Sequence, residues 1–90
     1  MTSVRDVIVK KPSSKEEAVC RSWPLWQCEP DTFDWVYTQT ETCLLLEGEV
    51  TVSDKDSSVT FSAGDMVIFP SGLECTWKVT EAVKKHYNFS

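Results

Sequence analysis

The sequence predicts an all-β domain, a small sandwich or barrel. Short segments rich in Val, Thr and aromatic residues recur along the chain, and turn signals separate them: EPDT at 29–32, SDKDSS at 53–58, SAGD at 62–65 and PSG at 70–72. Within several of these segments apolar and polar side chains alternate, as a half-buried strand requires.

The elements follow in chain order. Residues 1–22 read as an N-terminal arm, and within it SSKEEAV, 13–19, reads as a helical turn with Ser13 or Ser14 as N-cap and Glu16 and Glu17 in the first turn. Residues 23–90 read as the barrel, so the chain is a single domain. WPLW at 23–26 is expected to cover the barrel as a strand or arm. In FDWVY, Phe33, Trp35 and Tyr37 share one face; in LECTWKV, Leu73, Cys75, Trp77 and Val79 oppose Glu74, Thr76 and Lys78. ETCLLLEG differs, because Glu41, Cys43 and Leu45 face one way while Thr42, Leu44 and Leu46 face the other. A strand apolar on both faces is covered on both. A barrel interior can cover one face, and WPLW or a second subunit the other, so a homodimer through this sheet is expected. Asp54 and Asp56 around Lys55 form a solvated hairpin turn.

Size and charge exclude several classes. Ninety residues allow one compact core, and four Trp, four Phe and two Tyr supply bulky groups to fill it. A net charge of −5 opposes binding to phosphate backbones, so no nucleic acid partner is expected. No apolar run approaches the roughly 20 residues that span a bilayer, and the N-terminal stretch lacks an apolar segment of signal-peptide length. The expectation is a soluble, intracellular, cytoplasmic protein without a membrane partner. In that reducing setting the four cysteines are expected to be free.

The spacing from Glu41 onward resembles the cupin superfamily, whose small jelly-roll barrels carry two metal-ligand motifs. The first, G-x5-H-x-H-x3-4-E-x6-G, matches in its second half with Glu41 and Gly48; the second, G-x5-P-x-G-x2-H-x3-N, matches with Gly64, Pro70 and Gly72. The resemblance implies a cupin jelly-roll β-barrel with a short N-terminal arm. The histidine positions of the first motif hold Trp35 and Tyr37, or Asp34 and Val36 with the longer spacing, and those of the second hold Cys75 and, for the asparagine, Val79. Of the ligand set only Glu41 remains. WPLW, FDWVY, ETCLLLEGEV and GDMVIFPSGLECTWKV resemble the small cupins grouped with ureidoglycine aminohydrolase over roughly residues 23–89.

A barrel of this kind directs Trp35, Tyr37, Glu41, Cys43, Cys75 and Trp77 inward. Two outcomes are open: an aromatic pocket that binds a small, amide- or amine-bearing metabolite with Glu41 as its polar anchor, or an interior filled by those same side chains. No metal cofactor is expected; the only donor set within reach is Glu41, Cys43 and Cys75, which suits a thiophilic divalent ion such as zinc. Desolvation disfavours the charge of a carboxyl on an apolar face unless Tyr37 O–H or another donor meets it. Glu41 is thus either an acid/base group, which suits a hydrolase or isomerase acting on a small amine or amide such as a ureidoglycine-like compound, or a satisfied carboxyl that pins Tyr37. Cys75 is expected to be an inert thiol, because no Lys, Arg or His shares its strand face. His86, flanked by lysines, is expected at a surface or an edge strand.

Overall fold

The computed structural model describes residues 2–90 and is all-β apart from one short helix and one 3-10 turn. The strands are β1 (Ile8–Lys10), β2 (Leu25–Cys28), β3 (Asp31–Val36), β4 (Glu41–Ser53), β5 (Ser58–Ser62), β6 (Met66–Phe69) and β7 (Glu74–Phe89); α1 spans Ser14–Cys20. Each of the four turn signals lies at a junction between two of these strands, and EPDT runs on into the start of β3. The helix begins as its sequence requires: Ser13 accepts from the backbone N–H of Glu16, and Glu16 accepts in return from the N–H of Ser13. Among the described residues no helix is long and apolar enough to cross a membrane.

All pairings are antiparallel, and the long β4–β7 ladder is the spine. Each of its two strands divides its other edge between partners. β4 pairs with β6 through Glu41–Leu44 and with β5 through Glu49–Ser53, while β7 pairs with β3 through its first half and with β2 through Val83–His86. The register of the spine shifts around Gly48, and such irregularities bend a strand pair so that its two ends can pack face to face. Gly48 makes that bend sterically feasible. Its φ is +100°, and a Cβ there would lie 2.4 Å from the carbonyl oxygen of Ala82.

The single final strand is longer than the sequence pattern suggests. LECTWKV and VKKHYNF are continuous parts of β7, so Cys75, Trp77, Val79, Val83, Lys85, Tyr87 and Phe89 share one parity along it. The main core gathers Tyr37, Phe61, Phe69, Leu73 and Trp77 with valines of β4 and β7. Aromatic contacts organise it: Tyr37 stacks on Phe69 at 5.0 Å, and Phe61 meets Trp77 edge-on at 5.8 Å.

The outer face of β4 is covered by this chain. Leu44 and Met66 bury against Cys20 of α1, with Trp23 and Leu46 packed on them. The N-terminal arm is also woven into the sheet, since β1 pairs with β6 and Val4 is buried in the main core. All four cysteines are free.

His86 does not occupy a surface or an edge. It lies on β7 between Leu25 of β2 and Leu44 of β4, is 9 % exposed, and its Nδ1 is 2.8 Å from the carbonyl oxygen of Trp23. The flanking lysines misdirect the reading because their environments differ. Lys85 points to the opposite face and is itself buried.

Candidate functional site

The ends of β2, β3 and β7 and the start of β4 enclose a cavity of about 220 Å³. Trp26, Phe33, Trp35, Tyr87 and Phe89 form its walls, and Tyr37, Glu41, Trp77 and Lys85 complete it. Trp35 and Phe89, 45 % and 39 % exposed, mark the mouth; Glu41 and Lys85, 2 % and 5 % exposed, mark the floor. The interior is therefore filled at one end by Phe61, Phe69 and Leu73 and hollow at the other. Tyr37 and Trp77 belong to both parts.

Strand geometry places the floor. Glu41 opens β4 opposite Phe89 of β7, and the parity of β7 turns Lys85 into the same space. Both oxygens of Glu41 are engaged: Tyr37 O–H donates to Oε1 at 2.7 Å, and Lys85 Nζ donates to Oε2 at 2.5 Å. The ammonium also lies over two aromatic faces, 4.5 Å from the centre of the Trp77 ring and 4.9 Å from that of Trp26. Burial, followed by the neighbouring charge of Glu41 and the hydrogen bond to it, holds the Tyr37 phenol far above its ordinary range. The Tyr37 O–H is thus held in its protonated, donating form toward Glu41.

Of the six residues that the sequence directs inward, Trp35, Tyr37, Glu41 and Trp77 line the cavity, while Cys43 and Cys75 do not. Cys43 is fully enclosed, and burial pushes its thiol up to about 12; Cys75 is pushed up to about 11, again chiefly by burial. Neither is a ready nucleophile. The reason expected for Cys75 needs correction, however, because Lys85 does share its strand face, ten residues along the same continuous β7.

The residues do not fit a cupin metal. Among the described residues no group of three or more His, Cys, Asp or Glu side chains is arranged to hold an ion. Glu41, Cys43 and Cys75 form no such set, and both Glu41 oxygens already serve Tyr37 and Lys85.

Sequence reading misses Lys85, Trp26, Phe33, Tyr87 and Phe89 as site residues. The signal for the key one is present in VKKHYNF. Lys85 sits on the apolar parity with Val83, Tyr87 and Phe89, a lysine among groups that seek burial.

Comparison with known proteins agrees with the fold. The model of the EutQ-like cupin domain matches residues 15–87. Among solved structures, a DUF861 family protein from Thermotoga maritima is similar at 43 % identity and a TM-score of 0.89, covering 94 % of this chain and 100 % of its own. The Clostridium difficile EutQ protein is similar at 18 % identity and a TM-score of 0.67, covering 98 % of this chain and 73 % of its own. A putative ethanolamine utilization protein Q from Salmonella typhimurium LT2 shows 19 % identity and a TM-score of 0.66, with 92 % and 68 % covered. At these lower identities the likeness is one of fold. No curated protein matches the chain significantly. With Gly64 and Gly72 at turns, Gly48 at the bend of β4, Glu41 at the head of β4 and a family match that reaches from α1 into β7, the chain belongs to the EutQ-like cupin domain family.

Proposed function

We propose that this protein binds a small metabolite in the aromatic-lined cavity, without a His-based metal site. The observation that carries the reading is the joining of an open aromatic mouth to a buried polar floor, in which Lys85, Glu41 and Tyr37 are linked in a chain of hydrogen bonds. Cavities that bind metabolites combine apolar walls with a few convergent polar groups, and this one has that composition. Protein-observed NMR against sets of small metabolites tests the reading. Shifts at the indole signals of Trp35 and Trp77 are expected; a full screen that moves neither signal defeats it.

A second reading is a hydrolase or isomerase acting on a small amine or amide such as a ureidoglycine-like compound, with Glu41 as acid or base. The position of Glu41 favours it, because a carboxyl on the cavity floor, fixed by Tyr37 and Lys85, lies where a bound amine or amide would meet it. Ureidoglycine turnover that Glu41→Gln abolishes is the expected result. Turnover that is indifferent to that substitution removes Glu41 from the chemistry.

A further inference from the structure

We infer that Lys85 is a chain-tethered cation that takes over the work of the metal in metal-bearing cupins, and that the cavity selects an uncharged amide whose carbonyl oxygen accepts a hydrogen bond from Lys85 Nζ. This inference narrows the ligand of the binding reading and rests on it.

The first argument concerns what meets Glu41. Glu41 stands at the ligand position of the cupin motif, and its Oε2 faces an ammonium at 2.5 Å. A metal ion at a cupin site offers positive charge to an incoming oxygen. An ammonium offers charge and N–H donors together.

The second argument counts those donors. An ammonium has three N–H groups. One is used on Glu41, while the aromatic faces of Trp26 and Trp77 steady the charge without supplying a conventional acceptor lone pair. Donor capacity therefore remains on a side chain that lines the cavity.

Charge balance selects among ligands. Glu41 and Lys85 are the charged side chains lining the cavity among the described residues, and they neutralise each other. An ammonium on the ligand would bring a second cation beside Lys85, and a carboxylate would bring a second anion beside Glu41. Each leaves a net charge in a desolvated site, which is costly. An uncharged carbonyl leaves the floor neutral and still gains a hydrogen bond from a charged donor, the stronger kind. The apolar remainder of the ligand then lies against Phe33, Trp35 and Phe89.

Three probes with one apolar body isolate the polar group: benzamide, benzylamine and benzoate, titrated into the wild-type protein while the indole signals of Trp26 and Trp77 are followed by NMR. Benzamide is expected to bind about ten-fold more tightly than either charged analogue, because each of those leaves a net charge in the desolvated site. Its affinity is expected to be unchanged by EDTA. The double variant Lys85→Met with Glu41→Gln, which removes both charges and retains side-chain volume, is expected to weaken benzamide binding several-fold because the ammonium donor is gone, while benzylamine and benzoate stay weak because either still leaves a net charge in the desolvated site. If benzylamine or benzoate binds the wild type as tightly as benzamide, the inference falls while the cavity reading stands. Loss of benzamide binding in EDTA also overturns the tethered-cation role. If no probe moves either indole signal, both readings fall. A folded double variant that keeps full benzamide affinity overturns the hydrogen bond from Lys85; where that variant does not fold, toluene binding the wild type as tightly as benzamide overturns it instead.

Discussion

Lys85 Nζ and Glu41 Oε2 lie 2.5 Å apart at the floor of the cavity, joining two residues 44 positions apart in the chain and both enclosed by the fold. A buried pair of this kind fails asymmetrically: removing one partner strands the other charge, whereas removing both strands neither. Lys85→Met and Glu41→Gln are each expected to cost about 3–5 kcal/mol, and the double variant much less than their sum. Urea denaturation of the four proteins, read as a double-mutant cycle, measures the coupling. Single variants as stable as the wild type would show that the pair carries no folding role.

Tyr37 adds an alkaline limit. The phenol ordinarily ionises near 10.0, and burial beside Glu41 raises it far above that in the folded state. A proton held more tightly in the folded than in the unfolded state makes its contribution fully present below the unfolded value, and the contribution declines as pH rises beyond it. Stability is thus expected to fall above about pH 10, with the Cys43 thiol adding a decline from 9.0 toward about 12. Tyr37→Phe is expected to cost about 2 kcal/mol at neutral pH, the worth of a hydrogen bond to a charged group, and to flatten the alkaline slope. Denaturation midpoints from pH 7 to 11 test both effects.

The outline of this fold is legible because turns and alternation are local. Ser13 with Glu16, the four turn signals and the glycines at 64 and 72 each state a backbone requirement that neighbouring residues alone satisfy, whereas Gly48 answers the approach of Ala82 from another strand. The site is less legible because it depends on pairing across the sheet. Glu41 stands out as a carboxyl on an apolar face, but nothing in ETCLLLEG names its partner. That partner, Lys85, comes from a strand whose length the pattern understates, and its parity with Trp77 becomes visible only when β7 is seen to run unbroken. His86 is misplaced for a related reason. Adjacent lysines suggest solvent, yet on a central strand one neighbour faces the cavity, and the ring turns to Trp23 on the other side.

Gly48 predicts a severe local failure. A methyl group there would meet the carbonyl oxygen of Ala82 at 2.4 Å and Cα of Val83 at 2.7 Å, both backbone atoms that cannot rotate away, at a φ that L-residues avoid. Gly48→Ala is expected to destabilise by about 3 kcal/mol or more, as strain and overpacking combine. Gly64→Ala, at a similar φ but with the flexible end of Lys11 as its nearest neighbour at 3.7 Å, is expected to cost less. Comparative thermal melts of the two variants provide the check, and equal losses would contradict the close-approach argument.

Thiol reactivity separates the four cysteines. Burial raises all four thiols, but Cys28 is half-buried and near the surface turn, whereas Cys20, Cys43 and Cys75 are buried and so closed to reagent. Since the thiolate is the reactive form, iodoacetamide at pH 8 is expected to modify Cys28 first and Cys43 only upon unfolding. Peptide mapping of partly labelled native protein identifies the order. Early modification of Cys43 would mean that β4 opens far more readily than its packing implies.

Asp54 ties the N-terminal arm to the β4–β5 hairpin. One oxygen accepts from the backbone N–H of Val4 and from Ser3 Oγ, and the other accepts from the N–H groups of Asp56 and Ser57. These donors, the Val4 amide foremost, hold the carboxyl well below its ordinary value of 3.8. A carboxyl depressed in the folded state contributes stability that is present above its unfolded value and is lost as pH falls below it. The arm is therefore expected to loosen below about pH 4 before the β4–β7 spine yields, with Val4 leaving its place in the core. Asp54→Ala is expected to speed hydrogen exchange at the Val4 amide at neutral pH and to weaken the acid dependence of that exchange. Because the carboxyl faces solvent, its effect belongs to the arm rather than to global stability. Exchange at Val4 that stays slow in the variant would show that burial of its side chain alone retains the arm.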